Sequence, residues 1–449
     1  MTSLARLRFF PFLGQLTTAL ICLGVLACAG DSPPKPPNLI LVTLDTLRAD
    51  HLGLYGYFRD TSPNLDRFVE DALVFDRAVA PMPTTLPTHV SLFTSAYPVR
   101  HGIVSNFRFF FRPLESSAEL PMLAESLAAA GYATAAFTSS SPVSAATGIG
   151  HGFETFEGPG LISIERGRID QRAGETVEAA LTWLQQADKS QPFFLWVHLF
   201  DPHDPYDPPP EFRRFQKDER LAARLEELGL APQDREKAAA AIDAYDGEIL
   251  YTDAQLGRLL DLIQELALDK TSLIAIVGDH GEGLFQHGVP RHEETWNEQL
   301  YVPWILRAQD GPRGRYESVA SLIDLLPTLA GLGLPLNKDD LDGIDLLNEE
   351  RRYALSQSEN RSNAVPSWTL ISRDWKFWAL AGGEERLYHL ASDPHELRNV
   401  LEDHPEVASE MRTEIKRLIG QNRQKSALPL VEEIPADVRR QLEALGYVE

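Results

Sequence analysis

Asn38-Leu-Ile-Leu-Val-Thr-Leu-Asp45 is an almost unbroken apolar run of strand length that closes on an acid. A run of this kind marks a strand buried on both faces, whereas a strand with one wet face alternates apolar and polar residues. Similar runs follow at Ala133 to Phe137, Pro192 to Leu199, Ser272 to Val277 and Val302 to Leu306. Between them, Leu120 to Ala130, Gly174 to Ala187 and Ala238 to Leu266 read as helices. In the last of these, Tyr245, Ile249, Leu256, Leu259 and Ile263 keep to one face. Strands alternating with helices imply an α/β fold: a large domain whose mainly parallel sheet is covered by helices on both faces.

Ligands of such sheets bind beyond the carboxyl ends of the strands. Three of those ends carry chemistry: Asp45, Asp201-Pro-His203 and Gly278-Asp279-His280. They lie far apart in the chain, yet the topology should bring them to one edge. The charged stretch from Phe212 to Lys237, broken at Gly229, reads as a solvated helix pair, with an inserted lid as the alternative. From Pro335 to Asp345 the pattern loosens. The remainder offers a Trp-containing β segment (Trp368 to Ala379), a turn at Ser392-Asp393-Pro394 and acidic helical pieces. The main domain is therefore expected over 38–335, and a smaller C-terminal subdomain over 336–449.

The formal charge of −23 argues against nucleic acid as a partner, because such binding draws on Lys and Arg neutralising phosphates. A basic start (Arg6, Arg8) leads into an apolar run from Leu13 to Ala27, as in an export signal over 1–28. Val25-Leu-Ala-Cys28 resembles a lipoprotein cleavage box, and Phe9 to Ala29 is alternatively long enough to span a membrane as an anchor. Either reading places the body outside the cytoplasm, tied to a membrane only through a lipid or an anchor. The Pro-rich stretch at 29–37 then acts as a stiff linker. Cys22 and Cys28 are the sole cysteines, so the body beyond them has neither a disulfide nor a cysteine catalyst.

Pro83-Thr-Thr-Leu-Pro-Thr-His89 sets hydroxyls just before a helical run. Helix N-termini attract anions, and a metal-activated threonine there could attack an ester. The plainer reading is that Thr84, Thr85 or Thr88 caps the helix. Asp279-His280 combines hard oxygen with neutral imidazole, a pairing that suits divalent ions or a simple cap. Asp45 and His203 carry the same ambiguity when each is taken alone.

Together the segments resemble the sulfatase family of the alkaline phosphatase-like superfamily. The resemblance rests on Asp45-Thr-Leu-Arg-Ala-Asp50, the run from Thr85 to Tyr97-Pro-Val-Arg-His-Gly102, and Gly278-Asp-His-Gly-Glu282. Ser321-Leu-Ile-Asp-Leu-Leu-Pro-Thr-Leu329 and Arg386-Leu-Tyr-His-Leu-Ala-Ser-Asp-Pro394 extend it in the same order. The resemblance implies a small C-terminal antiparallel sheet with a helix, and one divalent metal ion (Ca²⁺, Mn²⁺ or Zn²⁺). It implies Asp45, Asp279 and His280 as metal ligands with Thr85 at the nucleophile position. His203 would contact the anionic group, and His287 and His292 would supply further basic contacts; Arg48 and Arg100 are added as candidates for substrate or leaving-group contacts.

The departures are equally informative. The family's sulfatases oxidise a cysteine or serine to formylglycine, and here threonine stands at that position. His89 replaces the helper arginine, the lysine and histidine of a second motif are missing after Gly131-Tyr-Ala-Thr-Ala-Ala-Phe-Thr138, and a single Asp45 replaces an aspartate pair. The expectation is a metal-dependent hydrolase of an anionic sulfuric or phosphoric ester. A phosphotransferase of the same fold, similar to phosphoethanolamine transferases, is one alternative; a non-catalytic binder of sulfated glycans is another.

Overall fold

The computed structural model describes residues 35–106, 114–159, 170–216, 218–359, 366–381 and 383–425. The export signal, Cys28 and most of the Pro-rich linker lie outside these residues, as does the chain beyond 425. Among the described residues, no helix is long and apolar enough to cross a membrane.

The strands are β1 (Asn38–Leu44), β2 (Leu73–Val79), β3 (Ala133–Thr138), β4 (Thr155–Glu157), β5 (Phe193–Leu199) and β6 (Ser272–Gly278). After them come β7 (Tyr301–Val302), β8 (Trp304–Arg307) and β9 (Gly314–Ser321). Among the described residues these nine form one sheet, in the order β4-β3-β5-β1-β6-β8-β2-β7 with β9 paired to β2. From β4 to β6 every pairing is parallel; β8 then runs antiparallel to both β6 and β2.

Alternation along β1 shows why the strand is apolar throughout. Leu39 and Leu41 enter one core, where the helices Thr85–Thr94 and Leu123–Ala129 pack. Ile40, Val42 and Leu44 enter the opposite core with the helices Ala173–Gln186 and Arg235–Glu265. The helix pair expected before residue 237 is present as Glu219–Glu227 and the start of Arg235–Glu265, with the turn at Gly229 in a left-handed conformation (φ 71°). Leu221, Leu225, Leu228 and Leu230 are buried in the second core, so this segment is part of the packed body and not a free lid.

The C-terminal sheet is antiparallel, in the order β10 (Ala354–Glu359), β11 (Pro366–Ile371), β12 (Trp375–Leu380) and β13 (Glu385–His389). The Pro405–Lys425 helix covers one face, placing Ala408, Met411 and Ile415 against Leu355, Leu370, Phe377 and Leu387.

Candidate active site

Adjacent parallel strands β5, β1 and β6 end level with one another, and their pairing continues one step further. The Asp45 amide donates to the Leu199 carbonyl at 2.9 Å, and the Asp279 amide donates to the Leu44 carbonyl at 3.2 Å. Asp45 and Asp279 are thus neighbours by register. Thr46 then takes a left-handed conformation (φ 52°), unusual for a β-branched residue. In that turn its amide donates to Asp279 Oδ1 at 3.1 Å. The His280 amide also donates to Oδ1, at 2.7 Å. Gly281 is required for close approach: a Cβ there would sit 2.0 Å from the Glu298 carbonyl oxygen.

Thr85 begins the next helix, which lies wholly within the core. Thr84 is the N-cap residue, and it makes no capping bond with its side chain. Thr88 donates to the Met82 carbonyl. Thr85 Oγ1 instead lies 3.3 Å from His280 Nε2, beside Asp45. His280 Nδ1 donates to the Gly281 carbonyl at 3.0 Å, which leaves the Nε2 lone pair facing Thr85. One sequence expectation needs correction here. The helix N-terminus has little to offer an anion, because Asn106 accepts the Leu86 amide at 2.8 Å and Pro87 has no N–H.

Asp45 Oδ1, Asp45 Oδ2 and Asp279 Oδ2 are fully buried and have no hydrogen-bond partner. Burial holds the Asp45 carboxyl well above the usual range, with Asp170 adding to the effect. Burial and then Asp45 push Asp279 up to about 8. Burial lowers His280 to about 4, so its imidazole is neutral. Buried carboxylate oxygens left without a hydrogen bond are costly unless a cation joins them. Ligand atoms of Asp45, Asp279 and His280 lie within 4.8 Å of one another. This oxygen-and-imidazole set fits a divalent ion.

His203 and His292 flank this group. Their Nε2 atoms are 3.3 Å apart, and the His292 ring lies 4.5 Å from the His280 ring. Each donates its Nδ1 proton to a backbone carbonyl, His203 to Asp204 and His292 to Pro83. Both Nε2 lone pairs therefore face the same space, an arrangement that accommodates one proton between them. Burial lowers His203 to about 4.

Three expected substrate contacts are not brought to this cluster. Arg48 is buried behind the 279–286 loop, held by Asp50 and Gln286 and donating to the Glu282 carbonyl. Arg100 is fixed by Asp340 and Asp342. His287 stacks on Trp296 at 3.8 Å, with Nδ1 on Glu298 and Nε2 donating to the His395 carbonyl. Arg48 is held largely by Asp50 of its own motif, whereas the partners of Arg100 come from a distant part of the chain.

His198 was not anticipated. It sits inside the apolar run of β5 and pairs in register with Thr43, two residues before Asp45. Its Nε2 is 3.3 Å from Asp45 Oδ2. A histidine one residue from the end of a doubly buried strand is the signal that the sequence did carry.

The Sulfatase family model matches residues 37–333. An arylsulfatase of Clostridium perfringens is 24% identical over 438 residues, covering 81% of this chain and 90% of that one. The solved structure of yidJ from Bacteroides fragilis superimposes with a TM-score of 0.76 at 18% identity, over 88% of this chain and 98% of that one. The phosphonate monoester hydrolase of Agrobacterium radiobacter does so with a TM-score of 0.70 at 22% identity, over 86% and 96%.

Proposed function

The chain belongs to the sulfatase family, and from that footing we propose that it hydrolyses a sulfuric or phosphoric ester with Thr85 as its nucleophile. The observation that carries this is the Thr85 hydroxyl, buried 3.3 Å from His280 Nε2 beside unpartnered carboxylate oxygens of Asp45 and Asp279. A cap would have spread its hydroxyl over the helix amides instead. Asp45, Asp279, His280 and Thr85 would hold a divalent ion. Such an ion supplies Lewis acidity, favouring the Thr85 alkoxide and withdrawing charge from the ester's non-bridging oxygens.

The chain's own groups account for the remaining steps. Thr85 Oγ1 forms a bond to sulfur or phosphorus as the bond to the leaving oxygen breaks, giving a threonyl ester. The neutral His203–His292 pair takes the Thr85 proton on an Nε2 lone pair as that bond forms and hands it to the leaving oxygen. Water then cleaves the threonyl ester; the pair takes a proton from the water and returns it to Thr85 Oγ1. Thr88, the Thr43 hydroxyl and Trp196 hold the helix and strand in place around this chemistry.

Both sulfate and phosphorus esters belong in this reading, because an arylsulfatase and a phosphonate monoester hydrolase are both among the similar proteins. Export to the cell envelope, with attachment through Cys28, is part of the same proposal and rests on the sequence before residue 38. The test is an initial-rate screen of aryl sulfate, phosphate monoester, phosphodiester and phosphonate monoester substrates with Ca²⁺, Mn²⁺ and Zn²⁺. Turnover of at least one that stops on chelation supports the proposal. Turnover only with an added acceptor alcohol would identify a transferase, and none at all would overturn catalysis.

A further inference from the structure

His89 and His198 have no part in the mechanism above, yet they lie against its two carboxylates. On β5, His198 is fully buried, and neither ring nitrogen has a hydrogen-bond partner. His89 lies one helical turn after Thr85, its ring 5.1 Å from that of His198 and its Nδ1 3.8 Å from Asp279 Oδ2. Ligand atoms of His89, His198 and Asp279 fall within 4.8 Å of one another, as do those of Asp45, Asp279 and His280. The two groups share Asp279. They also divide Asp45, whose Oδ1 faces His280 at 3.9 Å while Oδ2 faces His198 at 3.3 Å.

Charge balance points the same way. One divalent ion offsets Asp45 and Asp279, leaving the Thr85 alkoxide and an anionic ester offset only by a single proton on the His203–His292 pair. Arg48 and Arg100 are engaged elsewhere. His89 and His198 are buried imidazoles whose ring nitrogens face these carboxylates.

We propose that a second divalent cation, of the kind that imidazole and carboxylate ligate, binds between His198, His89, Asp45 Oδ2 and Asp279 Oδ2, so that the two aspartates bridge a pair of ions. His89 Nδ1 donates to the Thr85 carbonyl at 2.8 Å, and coordination through that atom replaces this bond. His198 has no hydrogen bond to the backbone to lose, only its 3.3 Å approach to Asp45 Oδ2, which makes it the sharper residue to test. The proposal rests on the preceding reading in sharing Asp45 and Asp279 and in the charge at Thr85 and the ester that it offsets.

The test counts ions on the full chain, dialysed to equilibrium against Zn²⁺ or Mn²⁺ and measured by mass spectrometry of the metal. The wild type should bind two per chain, and the Mn²⁺ form should give the electron paramagnetic resonance signal of a coupled pair. His198→Ala and the milder His198→Asn should each bind one ion, with the coupling gone. One ion in the wild type overturns the second site while leaving the first intact, and no ion overturns both. Two uncoupled ions, or two coupled ions surviving in His198→Ala, also overturn it. The wild-type count and signal decide the matter even if a variant fails to fold.

Discussion

Replacing Thr85 by alanine separates a nucleophile from a structural residue, because the two roles predict effects of different size. The side chain is buried, with Oγ1 3.3 Å from His280 Nε2, and it occupies the first helical position, not the cap. Alanine removes one buried methyl, about 0.8 kcal/mol, and one hydrogen bond of about 1 kcal/mol. It also returns a few tenths of a kcal/mol in helix propensity. The net stability change should therefore be near 1 kcal/mol. Loss of an attacking oxygen lowers kcat by about 10⁴-fold or more, equivalent to at least about 5 kcal/mol of barrier. Thr85→Ser keeps the oxygen and loses the methyl that fixes its rotamer, so it should recover part of the rate. Thr88→Ala is the control: it removes the bond to the Met82 carbonyl and should cost about 1–3 kcal/mol of stability with little effect on kcat. The assay pairs initial rates on the best substrate with a urea melt for each variant. A Thr85→Ala protein within tenfold of wild-type kcat would refute the reasoning.

Two further outcomes follow from the partners the structure assigns. Arg100→Ala should lower stability by about 1 kcal/mol, because Asp342 loses its nearest cation and keeps the Tyr97 amide and Lys425; kcat/KM should stay within about twofold, and a raised KM with unchanged stability would return Arg100 to the substrate. His101 is buried, sharing a hydrogen bond with Ser91 and accepting the Ile103 amide at Nδ1, and burial followed by Arg100 pushes it down to about 3. The unfolded histidine titrates near 6.5, so stability is full above that pH and is lost as pH falls towards 3. At pH 5 the loss is about 2 kcal/mol. Urea melts at pH 7 and pH 5 should show a drop smaller by that amount in His101→Gln, and an equal drop would contradict the assignment.

The sequence was most legible where backbone geometry ties chemistry to a strand end. Asp45, His203 and Asp279-His280 close apolar runs, and a parallel sheet brings such ends to one edge. Thr84, Thr85 and Thr88 were legible only as hydroxyls at a helix start, and the family resemblance alone singled out Thr85. Local backbone chemistry altered two details of the fold. Pro303 cannot donate to a ladder, so the single strand expected over Val302 to Leu306 divides into β7 and β8. Asp76 and Arg77 interrupt the apolar run of β2, which concealed that strand. Arg48, Arg100 and His287 were expected at the substrate, but Asp50 of the same motif holds Arg48, Asp340 and Asp342 hold Arg100, and Trp296 and Glu298 hold His287. His198 was hidden for the opposite reason: its neighbours made the whole segment read as core.

The central claim is that Thr85 carries the transferred group, and a trapped intermediate tests it most directly. The full chain is mixed with its best substrate, quenched in acid on the time scale of one turnover, digested and analysed by peptide mass spectrometry. Mass equal to one sulfuryl or phosphoryl group should appear on the peptide containing Thr85, localise to that residue, and vanish after a chase with excess water and no substrate. Turnover with the group on another residue, or with oxygen-18 from water entering the product in a single step and no labelled peptide at any quench time, would contradict the account.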